Sequence, residues 1–123
     1  MCVSATSVND EPAYYTNFGN SAIEVAAPGG GLGLDERVWA LCSQTSLVIS
    51  GCRSGWFMLG LLGTSMASPH VAAMAALIVE DVGQNPRRVK AIIQNSADDL
   101  GDNGNDPYFG KGRMNVAAAL GLE

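Results

Sequence analysis

The chain has 123 residues, 47% of them apolar and 15% charged, with a formal net charge of −5 at pH 7. That length supports one modest core, and the composition argues against a chain built to stay disordered. The acidic balance argues against a nucleic-acid binder, which needs a clustered basic surface, and "NPRRVK" reads as a solvated helix face instead.

The opening "MCVSATSVND" has neither a basic leader region nor a long apolar core, so it does not read as a signal peptide. "CVSATSV" (residues 2–8) reads as a strand ended by the turn-like "NDEP". "IEVAAPGGG" (23–31) is a second strand, closed by proline and glycines. "VWAL" (38–41) and "SLVIS" (46–50) are two more strand candidates, arranged as a hairpin around the polar "CSQT". The glycine-spaced stretch 51–63 is ambiguous. The three cysteines are an odd count. Cys42 and Cys52 are spaced to close a small loop in an oxidising compartment, while free, partly buried thiols are the simpler reading for all three, Cys2 included. No Cys/His spacing suits zinc, and no residue is assigned as a metal ligand.

The second half is helical. Thr64 or Ser65 is placed to cap a helix over about 64–82 that Gly83 ends, with Pro69 in or just beyond the first turn, where a missing N–H costs little. A second helix, about 86–96, has Asn85 as cap, Pro86 at its first position and Val89, Ile92 and Ile93 on one face. "GDNGNDPYFGKG" is a turn-rich loop, and a last short helix covers about 115–120. Residues 71–79 form the longest apolar run, too short to span a membrane. They leave the first helix apolar on every side, a pattern normal for a helix packed on every side. Three or four strands and two short helices scarcely enclose it, so the chain reads as part of a larger core.

Chemistry concentrates in "LLGTSMASPH" (residues 61–70). Helix N-termini present unpaired backbone N–H groups that stabilise an oxyanion, and Gly63 allows close backbone approach. On local chemistry Thr64 and Ser65 read first as helix caps, because a serine nucleophile needs an adjacent base. His70, the only histidine, lies five residues on, about 140° around the helix from Ser65, so it reads as a packed, hydrogen-bonded side chain. Ser-His-Asp catalysis is therefore not completed within one chain.

"GTSMASPHVA" (63–72) resembles the serine block of the subtilisin-like serine peptidases, the subtilases. "YYTNFGNSAIEVAAPG" (14–29), "NPRRVKAIIQNSADDLGD" (85–102) and "YFGKGRMNVAAAL" (108–120) resemble other blocks of that family, in its order and approximate spacing; residues 30–60 are longer and less familiar. The resemblance implies the C-terminal part of an α/β fold, a mostly parallel three-layer α/β/α sheet, incomplete here. It implies peptide-bond hydrolysis of a peptide or protein substrate through an acyl-enzyme, with Ser65 as nucleophile. The Ser65 backbone N–H would be one oxyanion donor, with Gly63 and Thr64 shaping the approach. His70 matches a family histidine that is not catalytic, and Ala73 stands where the family commonly has glycine, a small overpacking risk. The family's catalytic aspartate, catalytic histidine and oxyanion asparagine precede these blocks, so a missing N-terminal segment acting in trans is the implied partner. The resemblance also implies a secreted full-length parent, and calcium is possible by family but not placeable on residues here. The carboxylates at 98, 99, 102 and 106 do not follow EF-hand spacing and read as a solvated loop. "GTSMA" is one residue from the G-x-S-x-G elbow of α/β-hydrolases, but no suitable histidine follows it. The other alternative is a non-catalytic, peptidase-like binding or assembly domain.

Overall fold

Short segments of small and β-branched residues form the central strands of the structure, a computed structural model that describes residues 1–43, 45, 52 and 58–123. β1 (Val3–Thr6) and β2 (Val25–Pro28) pair in parallel, Val3 beside Val25 and Thr6 beside Pro28. Alternate residues of a strand face opposite sides. Ala5, Val25 and Ala27 thus join one buried cluster with Ala67, Val71 and Met74 of α1 (Thr64–Val82). On the other side, the Ser4 hydroxyl donates to the Tyr108 carbonyl at 2.5 Å, which ties the turn-rich loop to the sheet. The far edge of β2 is also occupied: the Ala26 N–H donates to the Gly112 carbonyl, and the Ala26 carbonyl accepts from the Met114 N–H, both at 2.9 Å.

Gly83 closes α1 at φ +76°, its N–H donating to the Val79 carbonyl. In α2 (Pro86–Asn95) the Asn85 side chain accepts the Arg88 N–H at 3.1 Å, Pro86 fills the first position, and Val89 and Ile93 are buried. Arg87 and Arg88 are exposed, while Lys90 pairs with Glu24. In the same way the Asn115 side chain accepts the Ala118 N–H of α3 (Val116–Ala119) at 2.9 Å. α1 is packed on one face only. Ala67, Val71, Met74 and Ile78 are buried, but Leu77 is 46% exposed and Ala72, Ala73 and Ala76 are open to solvent. The Ala73 methyl therefore meets no tight contact here. An apolar groove beside Val71, Ala75, Val79 and Ile93 runs toward Val3.

β3 (Val38–Leu41) pairs antiparallel with β4 (Met58–Leu61), Val38 opposite Leu61 and Leu41 opposite Met58. "SLVIS" lies outside the described residues. β4 has no β-branched residue; its pairing depends on Gly60, where a Cβ would come within 2.7 Å of the Trp39 indole. Among the described residues this ribbon is separate from the parallel pair and does not extend it. Free thiols for Cys42 and Cys52 are corrected: the chain leaves β3 at Leu41 and must return to β4 at Met58, and within that excursion the two cysteines form a disulfide. Cys2 is free and exposed.

Candidate active site

The turn from the β3–β4 ribbon into α1 is held by two glycines. Gly63 sits at φ +146°, a conformation that L side chains rarely adopt. Its N–H donates to the Gly29 carbonyl at 2.9 Å, tying the turn to the end of β2. Its own carbonyl accepts the Met66 N–H at 2.9 Å and so starts the helix. Gly63 is therefore the N-cap, with no side-chain capping bond, and the expectation that Thr64 or Ser65 caps the helix is corrected. The backbone turns one residue earlier than a hydroxyl cap needs, because only glycine accepts that φ. Thr64 and Ser65 are instead the first two helical residues, and the Ser65 side chain is exposed. A Cβ on Gly63 would lie 3.1 Å from the Ser65 Oγ, so glycine also leaves that oxygen room.

A helix of nineteen residues begins here, and its first N–H groups have no acceptor within it. The Ser65 backbone N–H belongs to that set, and the positive end of the helix dipole favours negative charge beside it. Ser65 thus presents a hydroxyl and a helix-terminal backbone N–H from one residue. His70 is turned to its own helix. The His70 Nδ1 lies 2.7 Å from the Met66 carbonyl, which only accepts, so Nδ1 carries the proton and ties the ring to its own helix. The structure does not bring Ser65 and His70 together. Pro69 is the sixth helical residue, not part of the first turn, and it removes the N–H that the Ser65 carbonyl would otherwise accept.

Gly29 and Tyr15 hold this corner, and sequence reading passed over the part each plays. Gly29 is enclosed: a Cβ there would lie 2.5 Å from the Ala5 Cβ, 2.8 Å from the Tyr15 Oη and 3.1 Å from the Gly63 carbonyl oxygen. The Tyr15 hydroxyl donates to the Gly30 carbonyl at 2.7 Å. Burial raises the Tyr15 phenol above its ordinary value, partly offset by the Gly63 backbone, so the hydroxyl remains a donor at neutral pH. The only signal for either residue was the stretch that runs from "YYTNFG" to "APG".

The acidic loop binds itself. The Asp98 carboxylate accepts from Asn115 at 3.0 Å and Arg113 at 2.6 Å, and these bonds hold it below the usual carboxylate range, Asn115 contributing most. Asp99 accepts the Gly104 N–H, and the buried Asp106 accepts the N–H groups of Tyr108 and Phe109. Among the described residues no cluster of three or more His, Cys, Asp or Glu is arranged to hold a metal ion, and no helix is long and apolar enough to cross a membrane.

Comparison with known proteins covers nearly the whole chain. Residues 1–112 match the Subtilase family. The chain is similar to thermitase of Thermoactinomyces vulgaris, 31% identical over 120 residues, covering 98% of this chain and 36% of that protein. It is similar to subtilisin DY of Bacillus licheniformis, 47% identical over 120 residues, covering 97% of this chain and 36% of that protein. Its fold is similar to the crystal structure of a lanthipeptide protease, with a TM-score of 0.82 and 28% identity over 98% of this chain and 40% of that one. The chain thus spans about a third of the length of these two curated relatives.

Proposed function

The chain belongs to the subtilase family, and from that premise we propose that Ser65 is the nucleophile of a serine endopeptidase acting on peptide or protein chains. A base from outside these 123 residues takes the Oγ proton as Oγ bonds to the carbonyl carbon of the scissile peptide. The carbonyl oxygen becomes an oxyanion and accepts a hydrogen bond from the Ser65 backbone N–H at the helix terminus. Collapse breaks the C–N bond, the leaving amine receives the proton, and water hydrolyses the ester left on Ser65. Gly63 and Thr64 shape the approach to that oxygen.

The observation that carries this reading is an exposed, uncapped Ser65 at the second position of a long helix, entered through a glycine turn. The chain's one imidazole lies five residues along the same helix, about 140° around from Ser65 and held there by its Nδ1 bond to the Met66 carbonyl, so the chain by itself turns over no substrate. In subtilisin, losing the triad serine or histidine costs a factor of about 2 × 10^6 in kcat. The partner is the polypeptide that supplies the catalytic aspartate, histidine and oxyanion asparagine. The Cys42–Cys52 disulfide supports an oxidising, extracellular setting for the parent protein.

A fluorophosphonate probe read by intact mass tests the assignment. The chain alone stays unlabelled. With the upstream catalytic segment of a subtilase added in trans, Ser65 is phosphonylated and Ser65→Ala is not. Labelling of the chain alone would refute the external base. A folded, assembled complex that never labels would refute the nucleophile and favour a non-catalytic binding or assembly domain.

A further inference from the structure

Ser65 is presented from a corner whose position no covalent geometry dictates: Gly29 and Gly63 are 34 residues apart in sequence, and neither has a side chain to hold it. What fixes the corner is a chain of contacts that begins at β1. The Ala5 carbonyl accepts the Ala13 N–H at 2.9 Å, the Ala13 carbonyl accepts the Thr16 N–H at 2.8 Å, and the Thr16 Oγ1 accepts the Ala5 N–H at 2.8 Å. This closed set of bonds clamps residues 13–16 onto the strand edge and aims Tyr15 inward, where it packs against the core cluster. Its hydroxyl then reaches the Gly30 carbonyl at 2.7 Å and lies against the position a Gly29 Cβ would take. Gly29 in turn accepts the Gly63 N–H, two residues before Ser65.

We propose that Tyr15 is a positioning residue for the nucleophile: its hydroxyl pins the Gly30 carbonyl, and through Gly29 holds the Gly63 turn that presents Ser65. The inference rests on the reading of Ser65 as nucleophile and adds a residue to that site. Tyr15 acts through the Gly30 carbonyl and Gly29, not by a bond to Ser65 itself. Its neighbour Tyr14, 71% exposed and stacked edge-on against Tyr15 at 5.0 Å, makes no such bond among the described residues and serves as the control.

The test is Tyr15→Phe, which keeps the ring and deletes one oxygen, beside Tyr14→Phe and a variant with 4-aminophenylalanine at position 15, which restores a donor. Two readouts are taken: amide hydrogen exchange of residues 63–66 in the full chain, and the maximal rate and half-saturation concentration for fluorophosphonate labelling with the upstream segment in trans. Loss of one hydrogen bond of ordinary strength predicts exchange faster by roughly 3- to 10-fold. The maximal labelling rate falls by a similar factor at unchanged half-saturation. The amino variant recovers both, and Tyr14→Phe changes neither. If Tyr15→Phe labels at the wild-type rate, or the amino variant is as slow as Phe, the positioning role is overturned while Ser65 stands. If the parent complex never labels, the nucleophile reading and this inference fall together.

Discussion

Gly29→Ala isolates the packing that holds the nucleophile turn, because Gly29 is not among the positive-φ glycines and alanine is not excluded there by backbone conformation. The added methyl would lie 2.5 Å from the Ala5 Cβ and 3.1 Å from the Gly63 carbonyl oxygen. Ala5 is 1% exposed and Gly63 is backbone, so neither neighbour swings aside. Overpacking of a filled core costs about 1–3 kcal/mol, and shifting Gly29 also weakens its bond from the Gly63 N–H, about another 1 kcal/mol. We expect a loss of about 3 kcal/mol. An unfolding entropy of about 2.1 cal/mol/K per residue makes 1 kcal/mol equal to about 4 °C at this length, so Tm falls by about 10–12 °C. The assay is thermal unfolding followed by circular dichroism, with Gly83→Ala as comparator. At Gly83 nothing lies within 4 Å of a Cβ but φ is +76°, so only backbone strain of about 1 kcal/mol applies. Ala5→Gly in the Gly29→Ala background removes the clashing methyl and recovers part of the loss, a coupling that additive sites lack. A Gly29→Ala Tm no lower than that of Gly83→Ala, or no coupling to Ala5, refutes the close-contact argument.

Two further outcomes are accessible on the same chain. Asn85→Ala removes the side-chain acceptor for the Arg88 N–H and lowers stability by about 1 kcal/mol, whereas Asn85→Asp keeps most of it; thermal melts distinguish them. Acid titration reads the carboxylates whose values are depressed in the fold: Glu24 by its bond from Lys90 first, and Asp98 by its bond from Asn115 first and then Arg113. A depressed carboxylate adds stability above its unfolded value, about 3.9 for Asp and 4.3 for Glu, and that stability disappears as pH falls through the folded value. With side chains 25% and 36% exposed, screening keeps each contribution below about 1 kcal/mol. Asp98→Asn flattens the acid limb of a Tm-against-pH curve; an unchanged limb refutes the assignment.

The helical half was legible because its signals are local. Asn85 followed by Pro86, and Gly83 at the end of a long apolar run, act on backbone groups within one turn of themselves, and the structure places the caps of both helices there. The serine block likewise pointed to residue 65 from ten consecutive residues. The span of α1 agrees with the reading over about 64–82, but its cap does not, since the turn tied to Gly29, 34 positions away, sets φ +146° at residue 63, which favours glycine over a hydroxyl cap. β4 was missed for the same kind of reason. "MLGL" has no β-branched residue to mark it, and its strand is defined by pairing with β3, where Trp39 lies over Gly60.

From sequence alone, then, come the family, the helices, the Gly83 and Asn85 caps, and a serine at the head of α1 with His70 placed around the helix from it. All of these follow from motif identity or from interactions spanning a few residues. Tertiary structure alone decided the pairing of β3 with β4, the Cys42–Cys52 disulfide and the corner where Tyr15, Gly29 and Gly63 meet. Each of these is a contact between segments distant along the chain, whose formation depends on the summed packing of the fold and leaves no periodic trace in the residues that make it.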